Sequence, residues 1–426
     1  MMYICSNCGY GTASWMGRCP ECAQWKTFKK QRDMKDGKTK ERTARLNAIA
    51  LSTIKPLNKI RKKTGIFEFD RVLGGGFIPG EVVFLTGEPG VGKSTLLLQA
   101  LTNFKTLYIS GEEAAEQIKH RAERLKINLS SFLFSDTLQV EGIVVGIDEL
   151  KDKIDIIVID SIQTIYSNTV ESPAGSVTQL KECLSQLTRI AKTKKIPIIV
   201  VGHVTKEGDI AGPKTLEHMT DAVLSFEGER VSNFRILRSP KNRFGPTDEI
   251  GIFEMAQSGL VEVNNPLAFL ENQDEEVPGK AIVGVAEGKR SLFFEIQTLA
   301  SPTMLPVPRR VVKGVDYNKV LLLLAVLRKH INLPLDTFDI YVNVVGGVDI
   351  KSTAADLGII ASLISSIKNI PVPKKTLFVG EVGLLGEVRK TAFEDKIVNE
   401  AGRLSFKKII SQKNMKSIKE LKSLFK

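Results

Sequence analysis

Two groups of residues have the types and spacing to do chemistry. The first is Gly87-Glu88-Pro89-Gly90-Val91-Gly92-Lys93-Ser94-Thr95, which follows the apolar run Val82-Val83-Phe84-Leu85 and precedes Leu96-Leu97-Leu98. Glycines let backbone N–H groups curl around phosphate oxygens, and a helix starting there points its positive end at them. The pattern predicts a phosphate-binding loop, with Lys93 on the β- and γ-phosphates, Ser94 offering its hydroxyl to Mg²⁺, and Gly92 permitting close approach. A chance glycine-rich turn would not need a strand before it and a helix after it. The second group is Cys5-x2-Cys8-x10-Cys19-x2-Cys22, two pairs that place four thiolates for tetrahedral zinc. An iron–sulfur or redox cluster is the competing reading. A segment this small has little apolar surface, so zinc binding would supply much of its folding energy. Trp15 and Trp25 could cover the metal or meet a partner, and the sequence does not choose. Cys183, isolated on a helical pattern, reads as a packed thiol.

The elements that must position these groups follow from hydrophobic periodicity. Apolar strands are expected at 82 to 86, 106 to 110, 155 to 160, 196 to 201 and 222 to 226. Helical patterns separate them at 94 to 103, 112 to 125 and 176 to 194. This alternation predicts an α/β fold with a mostly parallel sheet covered on both faces. Ligands in such sheets sit beyond the carboxyl ends of the strands, so functional residues should follow each strand.

Glu112 and Glu113 follow the second strand, where a carboxylate can orient or deprotonate attacking water; Glu112 is the first choice and Glu113 the second. Both could instead simply open a helix, where acids are favoured. Asp160 ends the third strand and would hold Mg²⁺ directly or through water. His203 ends the fourth and is placed to sense the γ-phosphate, although a lone histidine is equally at home in a structural role. Loops at 167 to 175 and from 203 to about 216 should project from the same edge.

The 426 residues imply two or three domains, and no apolar run is long enough to span a bilayer. With no secretory pattern at the start, a cytoplasmic, non-membrane protein is expected. The net charge of +12 is uneven: residues 29 to 63 carry +10 and residues 403 to 426 carry +7, leaving −5 elsewhere. A basic arm and tail on an acidic body suit a polyanion, most simply nucleic acid. For residues 29 to 63 a solvated linker explains the charge equally well.

Together with Leu73-Gly74-Gly75-Gly76 and the segment Lys241-Asn242-Arg243-Phe244-Gly245, these motifs resemble the bacterial RadA (Sms) family of DNA repair proteins, among the RecA-like ATPases. The resemblance implies a zinc finger at 1–28, a basic linker at 29–63, a RecA-like P-loop ATPase core at 64–262 and a Lon protease-like α/β domain at 263–426. It implies ATP, Mg²⁺ and Zn²⁺ as cofactors and a homo-oligomeric, hexameric ring around single-stranded DNA, with the two strand-end loops lining the channel. Lys241 and Arg243 would then reach a neighbouring subunit's nucleotide or the DNA.

In the Lon-like segment Asp356 stands where a serine nucleophile belongs, and Glu394 where its lysine belongs. An acid pair cannot replace a serine activated by a lysine. The segment therefore reads as a non-proteolytic scaffold. The implied function is a DNA-dependent ATPase of recombinational repair that translocates on single-stranded DNA, promotes branch migration of recombination intermediates and works with a RecA-type recombinase. The alternatives are an ATP-switched ring that recruits the recombinase through its finger without motor activity and, less favoured, an ATP-dependent protease.

Overall fold

A computed structural model describes residues 3–30, 50–53, 61–203, 213–228, 233–270, 276–404 and 406–425. Most of the basic linker and residues 204–212 of the second strand-end loop lie outside the described residues. The chain divides into two compact units. One comprises Met1–Phe226 with Ser239–Pro246, and the other Glu227–Arg238 with Thr247–Lys426.

The first unit opens with a small antiparallel sheet of β1 (Tyr3–Cys5), β2 (Gly11–Thr12) and β3 (Phe28–Lys30), with β1 in the centre. After α1 (Phe67–Val72), the chain alternates β4 (Val82–Gly87), α2 (Lys93–Ala100), β5 (Thr106–Ser110), α3 (Ala115–Arg124), β6 (Phe132–Ser135), α4 (Val140–Glu149), β7 (Ile156–Asp160), α5 (Val177–Lys194), β8 (Ile198–His203), α6 (Pro213–Met219) and β9 (Ala222–Glu227). The strands lie in the order β9-β4-β8-β7-β5-β6, and every pairing is parallel. Their Val/Ile/Leu/Phe-rich runs are buried on both faces, as a parallel sheet requires. On α5, Leu180, Leu184 and Leu187 recur at helical spacing and enter the core with Phe84, Ile157 and Val200. Both β6 and α4 go beyond the sequence expectation; Gly142 and Gly146 dilute the helical signal of α4.

Parallel strands put all carboxyl ends on one edge. The register sets Gly87 of β4 beside His203 of β8, and Ser110 of β5 beside Asp160 of β7. Four segments distant in sequence therefore converge there.

The second unit contains the first five residues of β10 (Phe234–Asn242), with β11 (Ile250–Ala256) and β12 (Gly259–Glu262) as an antiparallel meander. The strands of its larger sheet are β13 (Lys280–Glu287), β14 (Arg290–Pro302), β15 (Arg310–Lys313), β16 (Phe338–Val344), β17 (Thr376–Val379) and β20 (Lys408–Ser411), ordered β15-β16-β14-β13-β17-β20. The helices are α7 (Tyr317–Ile331), α8 (Asp356–Lys368) and α9 (Glu394–Arg403), and β18 (Glu381–Val382) pairs with β19 (Val388–Arg389). Helix α8 is buried from Asp356 through Ser365, so it behaves as a core helix apolar on nearly all sides. Among the described residues no helix is long and apolar enough to cross a membrane.

Candidate nucleotide site and zinc centre

The phosphate-binding loop links the end of β4 to the start of α2. Gly92 caps α2 at φ +111°, a conformation that side chains with a Cβ rarely adopt. The turn aims the free N–H groups of the helix start into the loop. Lys93 is buried, and its ammonium donates to the carbonyl oxygens of Gly87 at 2.8 Å and Glu88 at 3.0 Å, and lies 3.0 Å from His203 Nδ1. Burial lowers its pKa, opposed by the negative charges of Asp160 and Glu112.

Beside it, Ser94 Oγ donates to Asp160 Oδ2 at 3.1 Å, and the Tyr108 hydroxyl donates to the same oxygen at 2.6 Å. Asp160 is almost fully buried, and burial raises its pKa although these two hydroxyls favour the carboxylate. Tyr108 is pushed well above the usual phenol range by burial and by the adjacent Asp160 charge. Serine hydroxyl and carboxylate thus converge on one point next to the phosphate loop, a donor set suited to Mg²⁺.

Glu112 accepts a hydrogen bond from Ser161 Oγ, and both its oxygens lie 3.0 Å from His203 Nε2. Burial alone would raise its pKa, but the bonds from Ser161 and His203, with the charge of Lys93, hold it below the usual carboxylate range. His203 therefore bridges Lys93 on one ring nitrogen and Glu112 on the other. Glu113 points elsewhere, into a bidentate pair with Arg121 of α3. Tyr108, Ser161 and Arg121 escaped the sequence reading. The parallel register was the available signal for Tyr108, since a tyrosine two residues before Ser110 shares the face of the residue beside Asp160.

In the small N-terminal sheet, Cys5 Sγ lies 3.7 Å from Cys22 Sγ and Cys8 Sγ lies 3.5 Å from Cys19 Sγ; all four fall within 4.8 Å of one another. Tetrahedral Zn–S bonds near 2.3 Å separate sulfurs by roughly 3.8 Å, so the four thiols fit a structural zinc site. Cys5 and Cys19 are buried against Phe28, with Tyr3 packed alongside.

The sequence matches the AAA domain family over residues 53–209 and the rubredoxin metal-binding domain family over residues 3–30. It is 46% identical to DNA repair protein RadA of Listeria monocytogenes, covering 97% of this chain and 92% of the relative. Against DNA repair protein RadA of Bacillus subtilis it is 46% identical over 96% and 91%, respectively. The chain belongs to the RadA family of DNA repair proteins. Its core is accordingly a RecA-like P-loop ATPase fold, preceded by a zinc ribbon.

The RadA-like pentapeptide Lys241–Gly245 does not line the carboxyl edge. It sits where the strands begin. Asp221, just before β9, accepts from the N–H of Val82, the first residue of β4, at 3.0 Å and from the N–H of Arg243 through its carbonyl at 2.9 Å. Its carboxylate also pairs with Lys192 and with the Arg243 guanidinium at 3.4 Å. At about 3.3 Å per residue, the length of β4 puts roughly 17 Å between this edge and Gly87. Lys241 Nζ caps the end of α6, donating to the carbonyls of Glu217, His218 and Thr220 at 2.6, 3.1 and 2.8 Å. Arg243 keeps over half of its side chain exposed.

Asn242 donates to the carbonyls of Val72 and Leu73, and a Cβ on Gly245 would come within 3.0 Å of Gly74 Cα. The glycine lead-in at 73–76 and the pentapeptide, far apart in sequence, thus form a single contact, which Arg61 staples by donating to the carbonyls of Leu73, Gly76 and Phe244.

The loop at 167 to 175 is tied down by buried Gln179, which donates to the carbonyls of Ser167, Val170 and Ser172. In the second unit, Asp356 is buried at the start of α8 and pairs with Lys319 of α7 at 2.7 Å. Glu394 opens α9, fully buried, accepting from the N–H of Thr391 at 3.3 Å. The lysine beside Asp356 therefore comes from a helix that the sequence reading had not connected with it.

Proposed function

We propose that this RadA-family chain is a DNA-dependent ATPase of recombinational DNA repair that moves along single-stranded DNA and drives branch migration. Bound MgATP would supply the labile phosphoryl group, and its cation would offset the charge on the phosphates. Residues Gly87 to Thr95 cradle the phosphates, Lys93 neutralises them, and Ser94 and Asp160 hold the metal. Glu112, kept ionised by Ser161 and His203, orients and deprotonates the attacking water.

The observation that carries the motor reading is the bridge from Lys93 through His203 to Glu112. His203 is the last residue of β8, so a ligand that draws Lys93 onto phosphate changes what His203 bonds to. That couples nucleotide state to the end of β8, from which the chain continues toward the proposed DNA contact. The pentapeptide's distance from its own phosphate loop favours Lys241 and Arg243 acting across a subunit boundary, in a hexameric ring in which each site is shared. The Asp356–Lys319 pair supports a non-proteolytic scaffold in the Lon-like segment. Cytoplasmic location and cooperation with a RecA-type recombinase complete the reading.

The test is phosphate release with and without single-stranded DNA, alongside branch extension on a recombination intermediate. Stimulation by DNA and ATP-dependent extension are expected, both lost in Lys93→Ala. ATP turnover indifferent to DNA would leave only a switch that recruits partners, and no DNA binding at low salt would sink the proposal.

A further inference from the structure

The zinc ribbon leaves its two tryptophans in solvent. Trp15 is 59% and Trp25 68% exposed, whereas the cluster around the thiols is completed by Phe28 and Tyr3. The indoles therefore do not cover the metal. Their placement is specific: a methyl group on Gly17 would lie 3.7 Å from Trp25 Cζ3 and 3.9 Å from Trp15 Cη2, so the two rings flank one point. Exposed Arg18 stands with its guanidinium 5.9 Å from the Trp25 ring centroid, held by a bond from its Nε to the Ala23 carbonyl at 3.0 Å. Within residues 3–30 the cations Arg18, Lys26, Lys29 and Lys30 outnumber the single acid Glu21, and the next segment of sequence is strongly basic.

Two exposed aromatic faces with a cation beside them, on a positively charged module, match the chemistry that holds single strands: bases stack on the rings while cations follow the phosphates. A duplex hides its base faces, whereas a single strand presents base faces and phosphates together. We propose that Trp15, Trp25 and Arg18 form a base-stacking platform for single-stranded DNA on the zinc ribbon, whose Lys29 is ion-paired at 3.0 Å with Glu171 of the loop at 167 to 175. This rests on the reading of the protein as a single-stranded DNA binder and adds a second contact to it.

The chain contains only these two tryptophans, so its indole emission reports the platform directly. The experiment titrates full-length, zinc-loaded protein with an end-labelled thymidine oligomer, following label anisotropy and tryptophan emission together. Saturable quenching that tracks the anisotropy is expected. Trp15→Ala with Trp25→Ala should weaken binding about tenfold with one zinc per chain retained, and the two Phe variants should restore most of it. Binding by anisotropy with unchanged emission and unchanged affinity in the Ala variants would overturn the platform while leaving DNA binding intact. No anisotropy change at low salt would overturn both. Emission that responds to a recombinase and not to the oligomer would assign the surface to a protein instead.

Discussion

Asp160 and Asp356 are both almost fully buried, and each has a lysine in its vicinity, yet the two neighbourhoods do opposite things. Around Asp160 the partners are hydroxyls, from Ser94 and Tyr108, while Lys93 bonds to carbonyls and to His203. Acid and cation are held apart, each with charge left for a ligand. Around Asp356 the partner is the ammonium of Lys319 itself, with the Val382 N–H on the same oxygen. There the charges answer each other. The first arrangement is poised for phosphate and metal, the second for holding α7 against α8.

The largest effects should separate these two lysines. Lys93→Ala is expected to lower ATP turnover at least about 100-fold with little change in melting temperature. Lys319→Met should leave turnover within about twofold but destabilise the protein by about 3 kcal/mol, since it strands a buried carboxylate. Phosphate release and thermal unfolding on both variants check this. Loss of turnover in a folded Lys319→Met protein would break the contrast.

A second experiment tests the proposal that the carboxyl edge of one subunit works with the pentapeptide of the next. Arg243→Ala alone should be nearly inactive. Mixed in equal amounts with Lys93→Ala, it should recover about a quarter of the parental rate, because one interface in four then joins an intact Lys93 to an intact Arg243. No recovery after subunit exchange would place Arg243 in some other role.

Much of the carboxyl edge was legible in sequence because its chemistry is local: a strand, a turn and a following residue suffice to place Lys93, Ser94, Asp160 and His203 on one edge. What escaped depends on register and on distant pairing. Nothing near Asp356 in sequence points to Lys319, and nothing in Leu73-Gly74-Gly75-Gly76 reveals that Gly245 must pack on Gly74. The clustering of the four cysteines could be read from spacing, but the exposure of Trp15 and Trp25 could not, because an indole suits a core as well as a surface.

A pH series tests the closed pair. Burial, with the Glu381 charge nearby, outweighs Lys319 and the Val382 N–H and lifts Asp356 to about 6. An unfolded aspartate titrates near 3.9, so between about pH 4 and 6 only the native state keeps the proton. Low pH therefore favours the fold at this residue, and that stability is lost as pH rises through 6, by about 3 kcal/mol in total. Asp356→Asn cannot titrate. The melting temperature of the parent relative to this variant should fall from pH 4 to 7, and a flat difference would show the carboxylate ionised throughout.

The smallest effect belongs to Glu113, set against its neighbour Glu112 at the second strand end. Glu112→Gln removes the carboxylate that Ser161 and His203 hold ionised, and should cut turnover about 100-fold or more with ATP binding retained. Glu113→Gln loses only a partly exposed pair with Arg121, worth less than about 1 kcal/mol, and should change turnover by no more than about twofold. Steady-state turnover and nucleotide affinity on both variants decide the matter. Equal losses would mean that Arg121 and Glu113 position the start of α3, and that the site depends on the geometry of this turn as much as on one carboxylate.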